Sequence, residues 1–201
     1  RTKSLINMVK YLEKYELLER MEDRNIDAFG LEFKSGISVI VGENGSGKST
    51  LLTILSEPEH GKKISNSKFH ISEDANKNGV ATKFFDTEKH NPRIKDLNYQ
   101  SADTYRYSLL SRFKSHGQTL FPILEHMKKF NREIIFIDEP ESGISPKNQI
   151  KLWKAFNAAV KNECQIILAT HSYIFIKLAK EVFDMETKSW IKSEDYLPKL
   201  K

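Results

Sequence analysis

Gly42-Glu43-Asn44-Gly45-Ser46-Gly47-Lys48-Ser49-Thr50 decides the fold. Two glycines, Gly42 and Gly47, stand with four residues between them and are followed by Lys48-Ser49, the spacing of a phosphate-binding loop. The setting agrees. The apolar run Ile37-Ser38-Val39-Ile40-Val41 leads in and reads as a buried strand, and Leu51 to Leu55 leads out as a helix. Glycine lets the backbone curl until its N–H groups converge on one centre. The N-terminus of the helix adds partial positive charge at that centre. In such a loop Lys48 reaches the β- and γ-phosphates and the Ser49 hydroxyl binds Mg²⁺, while Asn44, Gly45, Ser46, Gly47 and Thr50 complete the cradle.

Downstream, Ile134-Ile135-Phe136-Ile137 runs straight into Asp138-Glu139. Consecutive apolar residues predict a strand buried on both faces. Carboxylates at its C-terminal end lie where open parallel sheets bind ligands. Asp138 is the expected Mg²⁺ ligand, and Glu139 the group that orients or deprotonates an attacking water. Gln165 to Thr170 predicts another buried strand, ending in His171-Ser172. A histidine at a strand end, as Asp138 is, reaches the same ligand; a structural histidine is the competing reading.

Outward from these strands the pattern is α/β. Ser4 to Glu22 shows apolar residues at helical spacing, with Ser4 as N-cap, and predicts a helix that packs on the domain or docks a partner. Residues 1–30 are thus expected to form an N-terminal helix and a turn. Leu31 to Lys34 alternates as a half-buried strand, and Val80 to Phe85 predicts a further one. Between them, Glu57 to Asn78 is polar and reads as loops around a short strand at Phe69 to Ile71. Ala102 to Phe113 and Thr119 to Phe130 have helical spacing. Tyr99, Tyr105 and Tyr107 read either as core packing or as a base-stacking cluster. Ser115-His116-Gly117-Gln118 opens the second of these helices as a small polar N-terminus of the kind that attracts anions. Lys147 to Lys161 predicts a helix and Val182 to Met185 a last strand.

Composition bounds the rest. The 201 residues suit one domain with a subdomain inserted at about 60–130. Charged residues make up 29% of a chain of net charge +5, which fits either a lysine-rich solvated surface or a nucleic-acid partner. The single cysteine, Cys164, rules out an internal disulfide and fits a reducing, cytoplasmic compartment. The six histidines lack zinc-ligand spacing, and no apolar run approaches membrane-spanning length. The chain starts at Arg1 rather than Met, as if a few residues preceded it.

Taken together, these motifs resemble the ATP-binding-cassette ATPases, from about Leu31 to Ala179. The resemblance implies a P-loop NTPase fold: an ABC-type three-layer sandwich with a small antiparallel β part and a helical signature subdomain. It makes Gly42 to Thr50 the Walker A loop, Ile134 to Glu139 the Walker B strand, and Ser142-Gly143-Ile144-Ser145 the D-loop. His171 matches the switch histidine and Ser115 to Gln118 the signature, with Ser115 and Gly117 touching the γ-phosphate of a partner subunit. The Q-loop position falls near Phe84 to Glu88, with Glu88 in place of the glutamine as a Mg²⁺ contact. ATP, Mg²⁺ and a head-to-tail, ATP-dependent homodimer follow from the resemblance.

His116 replaces the signature's first glycine, and Ser145 stands where transporters carry aspartate. These departures, with Asp138-Glu139-Pro140-Glu141, are similar to stand-alone ATPases with a Ser-His-Gly signature and to the RecF-like and overcoming-lysogenization-defect branches. Those branches imply DNA repair or phage defence, with a nuclease or DNA as partner. The segment between Glu88 and Ser115 is too short for a long coiled coil. A transporter nucleotide-binding subunit, a small-molecule kinase and a nucleotide-binding module without turnover are the competing functions.

Overall fold

The computed structural model describes residues 10–57, 65–86, 127 and 129–200. Its centre is a six-stranded sheet in the order β5-β6-β7-β3-β8-β9. These strands are β3 (Ile37–Val41), β5 (Ala81–Asp86), β6 (Glu133–Asp138), β7 (Gln165–Ala169), β8 (Glu181–Asp184) and β9 (Ser189–Lys192). All neighbours are parallel except β8 and β9. A second, antiparallel sheet has the order β2-β1-β4, from β1 (Leu12–Leu17), β2 (Phe29–Glu32) and β4 (Ser67–Ile71).

Side chains alternate across a strand, so each apolar run of the central sheet feeds two cores. On one face Ile40, Phe136, Ile167 and Phe183 meet helix α1 (Lys48–Ser56) and the antiparallel sheet, through Leu52, Leu55, Tyr15 and Leu31. On the other, Val39, Ile135, Ile137 and Leu168 meet α3 (Pro146–Lys161) and α4 (Tyr173–Leu178), through Leu152, Phe156 and Phe175. Three layers result. Each fully buried Leu, Ile or Phe adds about 1.5–3 kcal/mol, so the central strands are the most strongly held part of the chain. Cys164 is buried in the second core, and burial raises its thiol pKa, as expected of a packing residue.

Strand order positions the site. β7 lies between β3 and β6. Ile40 is level with Ala169, Ala169 with Asp138, and Asp138 with Asp86. The phosphate loop, the histidine and the carboxylates therefore leave the same edge of the sheet, with the histidine's strand in the middle.

The helix expected over Ser4 to Glu22 is corrected: residues 12–17 form strand β1, and 1–9 lie outside the described residues. A bulge between Leu12 and Lys14 shifts the register. It places buried Leu12 and Tyr15 three apart, a spacing that imitates a helix turn. The buried side chain of Gln165 secures this strand to the central sheet. Its Oε1 accepts from the N–H groups of Tyr11 (2.9 Å) and Leu12 (2.8 Å), and its Nε2 donates to the Leu12 carbonyl (2.9 Å).

The stretch read as irregular before Asn78 contains helix α2 (Glu73–Asn78), capped by the Ser72 hydroxyl, which accepts from the Ala75 N–H. The chain after Trp190 completes β9 and adds the short helix α5 (Ser193–Tyr196). Among the described residues no helix is long and apolar enough to cross a membrane. The readings at Tyr99, Tyr105 and Tyr107, the helix over 102–113, and most of the helix over 119–130 fall outside the described residues.

Candidate active site

The phosphate loop joins β3 to α1, and glycines make the join possible. Gly47, the residue before α1, has φ +93°, and a Cβ there would lie 2.6 Å from Ile26 Cδ1. Both facts restrict the position to glycine. Asn44 and Gly45 are exposed at the loop's rim. Ser46 donates its backbone N–H to the Glu43 carbonyl, and its buried Oγ has no hydrogen-bond partner among the described residues. Thr50 follows in the first turn of α1.

Lys48 is 4% exposed, and its ammonium is curled into the loop. It donates to the carbonyls of Gly42 (2.9 Å) and Glu43 (3.0 Å). Burial pushes its pKa below the usual lysine value, against the pull of Glu139, Asp138, Glu141 and Glu43. A buried cation whose hydrogen bonds among the described residues go to two main-chain carbonyls is well suited to an anionic ligand at the loop mouth.

Asp138 ends β6 and is 6% exposed. Burial raises its pKa to about 6, the Ser49 hydroxyl donates to it and pulls the other way, and Asp86 and Glu139 push it further up. A buried carboxylate beside a hydroxyl, with more negative charge next to it, is a hard-oxygen donor set that fits a divalent cation such as Mg²⁺. The expected pair Ser49 and Asp138 thus meets. Glu88, Ser115 and Gly117 lie outside the described residues.

Beyond Asp138 the chain turns sharply. Glu139 takes the left-handed region at φ +45° and donates its N–H to the Ala169 carbonyl (3.0 Å). A non-glycine residue there costs on the order of 1–3 kcal/mol, which the surrounding contacts must hold in place. The turn brings Glu139 Oε1 to 3.3 Å from His171 Nε2, an ion-pair distance. Both side chains remain about one-third exposed. The sheet therefore places Lys48, Ser49, Asp138, Glu139 and His171 along one edge.

Two acidic residues join this edge without having been singled out as site residues. Asp86 ends β5 level with Asp138 and is buried. It carries a shorter form of the signal that marked Asp138, since only Phe84 and Phe85 run into it. Glu141 reaches back and accepts the His171 N–H at 2.7 Å. Only the fold shows that contact.

Comparisons with known proteins bear on this geometry. A family described as "AAA domain, putative AbiEii toxin, Type IV TA system" matches residues 118–177. RecF, a DNA replication and repair protein of Pseudoalteromonas translucida (strain TAC 125), is 49% identical over 45 residues, 22% of this chain and 12% of RecF. The human glucosylceramide transporter ABCA12 is 46% identical over 39 residues, 19% of this chain and 2% of the transporter. The chain thus spans a small fraction of the curated relatives it matches. The ADP conformation of MJ1267, an ATP-binding cassette of an ABC transporter, superposes with a TM-score of 0.61 at 14% identity, covering 94% of this chain and 96% of that one. The chain has the ATP-binding-cassette variant of the P-loop NTPase fold, and its motifs resemble those of the stand-alone, RecF-like ATPases.

Proposed function

We propose that the protein binds and hydrolyses ATP with Mg²⁺, and that ATP closes a head-to-tail dimer, as a switch in a nucleic-acid-linked or phage-defence process. The observation that carries this is the convergence of Lys48, the Ser49–Asp138 pair and the Glu139–His171 pair on one sheet edge. The short RecF match and the AAA-type family match favour the nucleic-acid and defence setting over other uses of the fold.

Lys48 exchanges its two main-chain partners for phosphate oxygens, which repays its burial. Ser49 and Asp138 would hold Mg²⁺, which would supply positive charge to offset that of the phosphates. Glu139 orients water and accepts its proton, and His171 steadies the γ-phosphate from the neighbouring strand. A triphosphate carries more negative charge than one loop and one metal offset. Ser115 and Gly117 of a second copy are proposed to supply the missing donors. Exposed Ile150 (43%) and Tyr173 (53%) flank the Gln149–Ser172 hydrogen bond beside His171 and give that copy an apolar surface to cover. The compartment proposed is the cytoplasm.

The test is sedimentation of Glu139→Gln with ATP and Mg²⁺, where a stable dimer is expected. A protein that stays monomeric at every concentration overturns the switch. A transporter nucleotide-binding subunit is the second reading, supported by the MJ1267 fold and the ABCA12 match. Co-purification with a membrane protein selects it. Phosphate release without an added acceptor excludes a small-molecule kinase.

A further inference from the structure

We infer that Glu141 is a positioning residue for His171: its carboxylate holds the main chain of the histidine loop, so the Asp-Glu-Pro-Glu run governs both loops of the hydrolytic corner. The inference rests on the reading of Glu139 and His171 as the hydrolytic pair.

Glu141 comes two residues after the left-handed turn at Glu139, which points the chain back towards β7. Its Oε1 takes the His171 N–H at 2.7 Å, a short charge-assisted bond. The Thr170 hydroxyl and the residue's own N–H lie near the carboxylate and favour its charged form, while its Oε2 is buried without a hydrogen-bond partner among the described residues. Thr170 Oγ1 in turn accepts the Ser172 N–H at 2.9 Å. The carboxylate therefore holds the His171 main chain directly, next to a Thr170 hydroxyl that in turn holds the Ser172 N–H. Burying a carboxylate is expensive, and here burial raises its pKa despite the His171 N–H. An apolar residue would fill the space at less cost, but it could not hold the loop. His171 has one backbone N–H, and Glu141 is what fixes it. The imidazole's 3.3 Å approach to Glu139 depends on that anchor.

The experiment is a double-mutant cycle on the full chain, with Glu141→Ala and Glu141→Gln made in the wild-type and His171→Ala backgrounds. Steady-state phosphate release and equilibrium nucleotide binding are measured for each, with Glu139→Gln in parallel. Displacing a reacting group by about an ångström costs up to about a hundredfold, so Glu141→Ala should lower kcat by roughly 10- to 100-fold. Nucleotide affinity should stay within about twofold, since the loss falls on turnover. Glu141→Gln keeps an acceptor oxygen and should restore most of the rate. In the His171→Ala background the same alanine should cost no more than about threefold, because the two residues act as one unit. Equal losses in both backgrounds, or binding that falls together with kcat, overturn the inference. Hydrogen exchange at the His171 amide decides the matter separately. It should speed up by about tenfold or more in Glu141→Ala and stay slow in Glu141→Gln. Unchanged protection in Glu141→Ala sinks the proposal. If Glu139→Gln leaves turnover intact, the hydrolytic reading fails, and the exchange result still judges the Glu141 contact.

Discussion

The phosphate loop and the Glu139–His171 corner sit on the same sheet edge but are held by different means. The loop is shaped by its own backbone. Gly47 takes a conformation open to glycine, and Lys48 bonds back to main-chain carbonyls six and five residues earlier. The corner is held by bonds between two strand ends that are distant in sequence. Glu139 N–H binds the Ala169 carbonyl, and Glu141 binds the His171 N–H across 30 residues. The first region is a local device that could be moved to another fold. The second exists only because β6 and β7 are neighbours in register. Binding should therefore depend on the first region and turnover on the second, and substitutions should separate them.

The largest separation is expected from Glu139→Gln. Removing a general base costs about 10²- to 10⁴-fold in kcat, and nucleotide affinity should hold within about threefold. Phosphate release and nucleotide titration on one preparation measure both. A parallel loss of affinity would merge the two regions. Gly47→Ala should show the opposite pattern. The added Cβ meets Ile26 at 2.6 Å, and φ +93° is unfavourable for alanine. Strain of about 1–3 kcal/mol corresponds to roughly 5- to 150-fold in affinity. At saturating ATP the remaining complex should turn over near the normal rate. Near-normal binding in Gly47→Ala breaks the comparison from the other side.

This division also explains what could be read from the chain alone. The loop was legible because its chemistry is written in consecutive residues. Asp138 and Glu139 were legible because an apolar strand ends on them. Glu141 was not, since its partner is 30 residues away and no periodicity links them. Asp86 carried a weaker signal at the end of β5, because Thr82 and Lys83 interrupt the apolar run that leads to it. Strand β1 was misread for a related reason. A bulge breaks the alternation that identifies a strand, and the buried glutamine that ties β1 down lies some 153 residues away. Propensity and period describe neighbours in sequence. The small sheet owes its placement to a distant side chain and to the core it covers.

The smallest predicted effect joins the two regions, because Asp138 faces both. Its pKa is raised to about 6, with burial the main cause. The sign is opposite to that of a salt-bridged carboxylate. A raised pKa means that the folded state holds this proton more tightly than the unfolded chain. The group's contribution to apo stability therefore falls as pH rises from about 4 to about 6 and is level above that, a change of about 3 kcal/mol for some two pH units. Mg²⁺ needs the ionised form, so metal binding should run the other way. Between about pH 7 and pH 5 the ionised fraction drops about tenfold, and apparent Mg²⁺ affinity in the presence of ATP should drop with it. Melting temperatures of the free and Mg-ATP-loaded protein across this range should accordingly converge as pH falls. Asp138→Asn is the control, since it keeps any pH dependence that comes from the nucleotide. A slope unchanged in Asp138→Asn would move the titration elsewhere. A slope that disappears with Asp138 would tie the loop's metal to the strand that carries the corner, and would make this carboxylate the point where binding and turnover meet.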